Sequence, residues 1–112
     1  MISITISLGP GSRIKGFVVT GHANFSEYGK DIVCAAVSAI AQTALIGLQQ
    51  YFGTAVQFQQ TPGKLSCTVP DLEPEEYAIA EAILKTMYWG LRNIETQYSK
   101  HIRLIIEGGV WE

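Results

Sequence analysis

Apolar and polar residues alternate strictly at the start of the chain. Positions 2, 4, 6 and 8 are isoleucine or leucine, and serine or threonine lies between them. This period of two is typical of a strand with one buried face. A Gly-Pro-Gly-Ser turn follows at 9–12, and the run at 13–21 is rich in β-branched and aromatic residues. The first 21 residues therefore predict a β-hairpin.

The pattern next changes to that of a helix. Asp31 is a candidate N-cap for a helix that begins at Ile32 and ends at Phe52, where Gly53 is suited to the C-terminal end. Many small residues would let this helix lie close to a sheet or to another helix. The bulky side chains expected to fill its packed face are Val33, Val37, Ile40, Leu48 and Tyr51.

Two short strands, at 55–59 and 64–69, are predicted after this helix. The Thr61-Pro62-Gly63 sequence between them suits a tight turn, because proline fixes φ and glycine can take a positive φ. We expect a second hairpin that buries Val56, Phe58, Leu65, Cys67 and Val69.

The segment Asp-Leu-Glu-Pro at 71–74 predicts the start of a second helix, of about 25 residues, since proline favours the first helical turn. Spacings of three and four place one apolar stripe along it: Tyr77, Ala80, Leu84, Met87, Leu91, Ile94 and Tyr98. A second apolar face, formed by Ile79, Ile83 and Trp89, suggests a homodimer contact.

A last strand is indicated by the alternation of Ile102, Leu104 and Ile106. His101 precedes it, and we expect a solvated histidine at a sheet edge. The order of elements is therefore ββαββαβ, which favours an α+β, two-layer sandwich with an antiparallel or mixed sheet packed against two helices. The length is that of a single domain spanning 1–112.

Composition narrows the class of protein. The net charge is −2, and the eight basic residues are scattered, which argues against direct nucleic-acid binding. No apolar run approaches the ~18 residues of a membrane span, and Met1 leads straight into a strand without a signal peptide. We therefore expect a cytoplasmic protein with no membrane association. In that compartment Cys34 and Cys67 are not expected to pair, and Cys67 is interpreted as a core thiol.

The candidate chemistry lies between Thr20 and Ser38. With Asp31 as N-cap, Cys34 occupies the third helical position, where backbone N–H groups and the helix dipole would stabilise a thiolate. Thiols in such settings have pKa values of roughly 3.5 to 7.5. His22 lies twelve residues before Cys34, far enough for a loop to return the imidazole to the sulfur. The two residues are a candidate nucleophile and base.

The residues around this pair have two interpretations each. Asp31 caps the helix or orients His22, and the capping role is favoured. Ser38 lies one turn after Cys34, where it either bonds near the active centre or satisfies its own helix backbone. Phe25 and Tyr28 lie in a loop flanked by Gly21 and Gly29. They form either a lid and substrate clamp or simply pack beneath the loop.

The sequence GHANFSEYGKDIVCAAVS, at 21–38, resembles the ribosomal-processing cysteine protease family known as Prp. The matching features are Gly21-His22 and the helix start from Gly29 to Ser38. The resemblance implies an endopeptidase that removes the N-terminal extension of a large-subunit ribosomal protein, cutting after a hydrophobic segment that contains aromatic residues. It also implies His22 and Cys34 as the catalytic pair, and a homodimer. In this mechanism, helix-start amides including that of Cys34 would hold the oxyanion.

Two alternative functions are also compatible with these residues. A metal site would use His22 and Cys34 with His101 or Cys67, but the chain lacks the closely spaced ligand pairs usual in zinc sites. We therefore predict no metal and no cofactor. A non-catalytic peptide-binding module in ribosome assembly would keep the same groove without cutting its ligand.

Overall fold

A computed structural model describes residues 1–27 and 29–111. The long elements follow in the predicted order, with a short 3-10 turn after each of β1 and α1. The helices are α1 (Ile32–Phe52) and α2 (Pro74–Gln97). The strands are β1 (Ile2–Leu8), β2 (Ile14–Thr20), β3 (Gln57–Thr61), β4 (Lys64–Thr68) and β5 (Ile102–Glu107).

The strands form one mixed sheet in the order β3-β4-β2-β1-β5. β1 pairs with β5 in parallel, and the other neighbouring strands are antiparallel. A parallel pair needs a long crossover, which the chain between β1 and β5 supplies. The predicted α+β architecture and ββαββαβ order are confirmed.

The core lies between this sheet and the two helices. Alternate residues of β1 are buried, and Ile4 and Ile6 are completely inaccessible. The stripe predicted on α2 faces this core, since Ala80, Leu84 and Leu91 have no exposed surface. A capping box between Glu73 and Glu76 begins α2. Alternation and helical spacing thus located the buried faces correctly.

Two predicted core residues are instead on the surface. Phe58 is 53% exposed and Tyr51 is 65% exposed. β3 is an edge strand that begins at Gln57, after the 3-10 turn Gly53–Ala55, and its five residues are all exposed. Tyr51 lies at the end of α1 and turns outward. Local periodicity predicts which face of an element a residue lies on, but it does not predict whether another element covers that face.

The stretch Ile32–Ala55 is long and apolar enough to cross a membrane, with a mean hydropathy of 1.8. The expectation that no segment resembles a membrane span therefore needs correction. In the structure, however, Val37, Ala41, Leu45 and Leu48 of this stretch are buried in the core. A core helix of a soluble domain has the same length and composition.

Candidate active site

The sheet register brings four chain segments together at one end of the sheet. Thr20, the last residue of β2, lies opposite Ser3 of β1 and Lys64 of β4. Ile2 of β1 lies opposite Ile102 of β5. The residues just beyond these strand ends therefore lie along this end of the sheet: Met1, Gly21, His22, Gly63 and His101.

Asp31 caps α1, as predicted, and thereby fixes the position of Cys34. One carboxylate oxygen, Oδ1, accepts the N–H groups of Val33 and Cys34, both at 3.0 Å. Cys34 occupies the third helical position, and its side chain is partly exposed. The sulfur is thus accessible at the positive end of a 21-residue helix.

The other oxygen of Asp31 holds the loop that follows β2. Oδ2 accepts the N–H groups of Phe25 at 2.9 Å and Ser26 at 3.2 Å. Burial of the carboxyl group raises the pKa of Asp31, but the four backbone N–H groups outweigh this effect, so the pKa lies below its ordinary value. Because both oxygens are engaged in this way, the contacts support the capping interpretation of Asp31.

The helix-start amides expected to hold an oxyanion are already engaged. The Cys34 N–H donates to Asp31 Oδ1, and the Ala35 N–H donates to the Asp31 carbonyl. The N–H that approaches the sulfur comes instead from the loop. Ala23 donates to Cys34 Sγ at 3.2 Å, so the residue after His22 touches the candidate nucleophile.

His22 and Cys34 line the same two clefts. The smaller, of about 190 Å³, extends toward the sheet and includes Gly63 and Lys64. The larger, of about 500 Å³, extends toward the loop and includes Ser26. The structure therefore brings the predicted pair to one solvent-accessible place.

Two glycines shape the surroundings of His22. Gly21 has φ +88°, and a Cβ there would collide with the Met1 carbonyl oxygen. Gly63 has φ +77°, and a Cβ there would lie 3.1 Å from His22 Nε2. The Gly21 N–H donates to the Gly63 carbonyl at 2.9 Å. The turn between β3 and β4 thus lies directly against the imidazole.

The remaining predicted site residues lie nearby. Ser38 lines both clefts, and its hydroxyl accepts a hydrogen bond from Gln42 Nε2 at 2.7 Å. Gly29, at φ +84°, lines the larger cleft.

Phe25 packs edge-on against another aromatic residue of the fold, Tyr98, and is 43% exposed. Tyr28 lies outside the described residues.

His101 is not the solvated edge histidine that was expected. Its side chain is half-buried, its Nδ1 lies 2.9 Å from the Ala23 carbonyl oxygen, and its ring contacts that of Phe25. The expectation failed because this contact spans 78 positions of sequence, and no local pattern signals it. Among residues 1–27 and 29–111, no cluster of three or more His, Cys, Asp or Glu residues is arranged to hold a metal ion.

The second cysteine is the core thiol that the sequence predicted. Cys67 is only 3% exposed, and both cysteines are free. Burial raises the pKa of the Cys67 thiol to about 11. At neutral pH this thiol is protonated and enclosed, which leaves Cys34 as the accessible sulfur.

Comparisons with known proteins identify the family of the chain. The family model described as cysteine protease Prp matches residues 1–103. The ribosomal processing cysteine protease Prp of Staphylococcus aureus is 33% identical over 107 residues, which cover 93% of this chain and 97% of the relative. That of Bacillus subtilis is 34% identical over 108 residues, covering 93% and 96%.

The fold also matches solved structures of that family. The S. aureus protease in complex with a covalently linked product peptide has a TM-score of 0.84 at 28% identity, covering 96% of this chain and 100% of the other. The same protease with a substrate peptide has a TM-score of 0.78 at 26% identity, with the same coverage. Sequence, fold and an accessible thiol at a helix start lead to one conclusion: this chain belongs to the cysteine protease Prp family.

Proposed function

We propose that Cys34 is the nucleophile and His22 the general base of a peptidase domain spanning 1–112. The substrate is the N-terminal extension of a large-subunit ribosomal protein, cut after a hydrophobic segment with aromatic residues. The observation that carries this proposal is the placement of His22 and Cys34 in the same clefts at the start of α1. The names of the S. aureus and B. subtilis relatives, ribosomal processing proteases, support the substrate class.

The proposed reaction uses both side chains. His22 accepts the thiol proton, and the Cys34 sulfur attacks the scissile carbonyl carbon. The tetrahedral intermediate collapses when His22 returns the proton to the leaving amine. Water, deprotonated by His22, then hydrolyses the thioester and restores the thiol.

The clefts on either side of Cys34 suit an extended peptide. Their combined lining includes residues of the loop after His22 and of the turn before β4. We propose that Phe25, Tyr28 and Gly29 contact the substrate from the loop, with the exposed part of the Phe25 ring forming an apolar wall. Ser38 borders both clefts from α1, and Asp31 and Gly21 hold the loop and strand end in position.

A cleavage assay separates this proposal from a module that binds the peptide without cutting it. A synthetic peptide that joins an aromatic-rich extension to the start of the mature ribosomal protein is incubated with the parent chain and with variants. We expect Cys34→Ala and His22→Ala to abolish turnover, while Cys67→Ala retains it within about twofold, because Cys67 is enclosed in the core.

Each outcome of the cleavage assay distinguishes one alternative from the proposed mechanism. Binding without cleavage by the parent would favour the peptide-binding module. Cleavage that survives Cys34→Ala would remove the thiol mechanism. Loss of turnover in a folded Cys67→Ala variant would mean that the wrong sulfur has been assigned.

We also propose that the chain forms a cytoplasmic homodimer through the face of α1 and α2 that points away from the sheet. A groove of about 660 Å³ runs between these helices, and Ile83 lies in it. Nearby on the helix surfaces, Ile46, Ile79 and Trp89 are 55%, 37% and 57% exposed. Such a concentration of exposed apolar side chains is typical of a protein contact.

Sedimentation velocity tests the homodimer. We expect a dimer for the parent and a shift to monomer for Trp89→Lys combined with Ile46→Lys. Phe58→Lys is the matched control, since Phe58 is 53% exposed on edge strand β3. A monomeric parent at micromolar concentration, or equal dissociation by the control, would contradict this interface.

A further inference from the structure

Ala23 is the residue through which the loop touches the sulfur, and it is held on both sides. Its side chain and backbone are almost fully buried, at 1% exposure. The N–H donates to Cys34 Sγ at 3.2 Å, and the carbonyl oxygen lies 2.9 Å from His101 Nδ1. The position of Ala23 between the sulfur and the imidazole of His101 is therefore defined by two directional contacts.

The second contact fixes where the His101 proton lies. A carbonyl oxygen can only accept a hydrogen bond, so Nδ1 must be the donor. The neutral ring is then the Nδ1–H tautomer, in which Nε2 is without a proton. Loss of this hydrogen bond would leave the buried Ala23 carbonyl without a donor, which is energetically costly. The contact therefore stabilises both this tautomer of His101 and the position of the loop.

His101 is itself well anchored to the scaffold. Its N–H donates to the Tyr98 carbonyl at 2.8 Å, and its own carbonyl accepts the Ile2 N–H at 2.9 Å. The ring meets Phe25 edge to face, with centroids 5.4 Å apart. The turn between α2 and β5 is thus anchored by hydrogen bonds, and through His101 it contacts the loop that contains Ala23 and Phe25.

We propose that His101 is a positioning residue for the thiol. By binding the Ala23 carbonyl, it holds the Ala23 N–H in hydrogen-bonding contact with Cys34 Sγ and so fixes the position of the sulfur that reacts. The same contact fixes the chain immediately after His22 and so limits where the imidazole can lie. This inference rests on the proposed role of Cys34 as nucleophile, and it adds a residue that does not touch the reacting atoms.

Two substitutions of similar size test this role. In a Cys67→Ala background, His101→Asn keeps an N–H donor near the position of Nδ1, and His101→Leu removes it. The rate of Cys34 alkylation by iodoacetamide is followed at pH 7 by intact mass. We expect a fall of about threefold to tenfold for His101→Leu, the effect of one lost hydrogen bond, and near-parent rates for His101→Asn. Turnover number should follow the same order, with a smaller change in KM.

Equal rates for parent and His101→Leu would overturn the proposal, and so would equal losses in both variants when both remain folded. A measurement on the unsubstituted chain covers the case in which the Leu variant does not fold. Imidazole ¹⁵N shifts should show a protonated His101 Nδ1, and a proton on Nε2 alone would overturn the proposal. Alkylation needs no substrate, so these outcomes are independent of whether Cys34→Ala abolishes cleavage.

Discussion

At the scale of single residues, Asp31 joins the two parts of the site. Its Oδ1 caps the helix that carries Cys34, and its Oδ2 holds the backbone of Phe25 and Ser26. The cap was predictable because it depends on residues two and three positions away. The loop contact was not predicted, although it lies only five or six positions upstream, because no sequence rule specifies how an irregular loop folds back.

Asp31→Asn should lower stability at pH 7, because an amide replaces one acceptor oxygen with a donor that faces two N–H groups. The pKa of Asp31 is lower in the folded chain than in the unfolded chain. Its contribution to stability is therefore present above the unfolded pKa of about 3.9 and is lost as the pH falls through the folded value. Urea unfolding between pH 2 and 7 should show the two curves converging in acid.

Asp71→Asn is the control for this prediction, since it removes an exposed carboxylate ahead of α2. It should change stability little across the range. A constant gap between Asp31→Asn and the parent down to pH 2 would contradict the ionic character of the cap.

The two thiols should react at very different rates. The pKa of Cys67 is raised to about 11 by burial, and its side chain is 3% exposed, so it is protonated and shielded at pH 8. Iodoacetamide at pH 8 should therefore add one label to the folded chain, at Cys34, and two labels in denaturant. Peptide mapping of the labelled chain checks this. Rapid native labelling of Cys67 would show that the core opens easily.

At the scale of elements, the turn between β3 and β4 supports the imidazole. That this turn is tight follows from Pro62 and Gly63 alone. That it lies against His22 depends on the pairing of β4 with β2, which joins segments more than 40 residues apart. The sequence therefore predicted the positive φ of Gly63 but not its contact with the imidazole of His22. The same limit applies to Phe58, whose alternation was clear but whose side chain is 53% exposed, because alternation does not show which strands the helices cover.

Gly63→Ala should reduce kcat/KM on the order of tenfold to 100-fold, because a Cβ placed 3.1 Å from His22 Nε2 would displace the ring. The substitution also forces a non-glycine residue into a positive φ. Gly11→Ala controls for that cost, since Gly11 has φ +70° and open space around its Cβ position. Both variants should lose similar stability, measured by thermal unfolding, but Gly11→Ala should keep its activity.

A Gly63→Ala variant with parent kinetics would show that His22 tolerates movement at this turn. An equal loss of kcat/KM in Gly11→Ala would show that general destabilisation, and not the contact with the imidazole, is responsible.

At the scale of the whole molecule, the site is a product of strand order. β2, β1, β5 and β4 end or begin at the same end of the sheet, so that His22, Met1, His101 and Gly63 all lie along that end. Element order was predictable from periodicity, and the helix start that carries Cys34 was predictable to the residue. The order β3-β4-β2-β1-β5 was not, because several pairings satisfy the same alternation. His101 was misjudged for this reason.

In the proposed mechanism, Cys34 forms a thioester with the substrate peptide. Rapid acid quench of the Cys67→Ala chain mixed with the ribosomal-extension peptide, followed by proteolysis and mass spectrometry, tests it directly. We expect a transient adduct on Cys34 whose mass is that of the N-terminal product less one water. Continued cleavage with the adduct on another residue, or with no adduct on Cys34 at any time during single turnover, would contradict it.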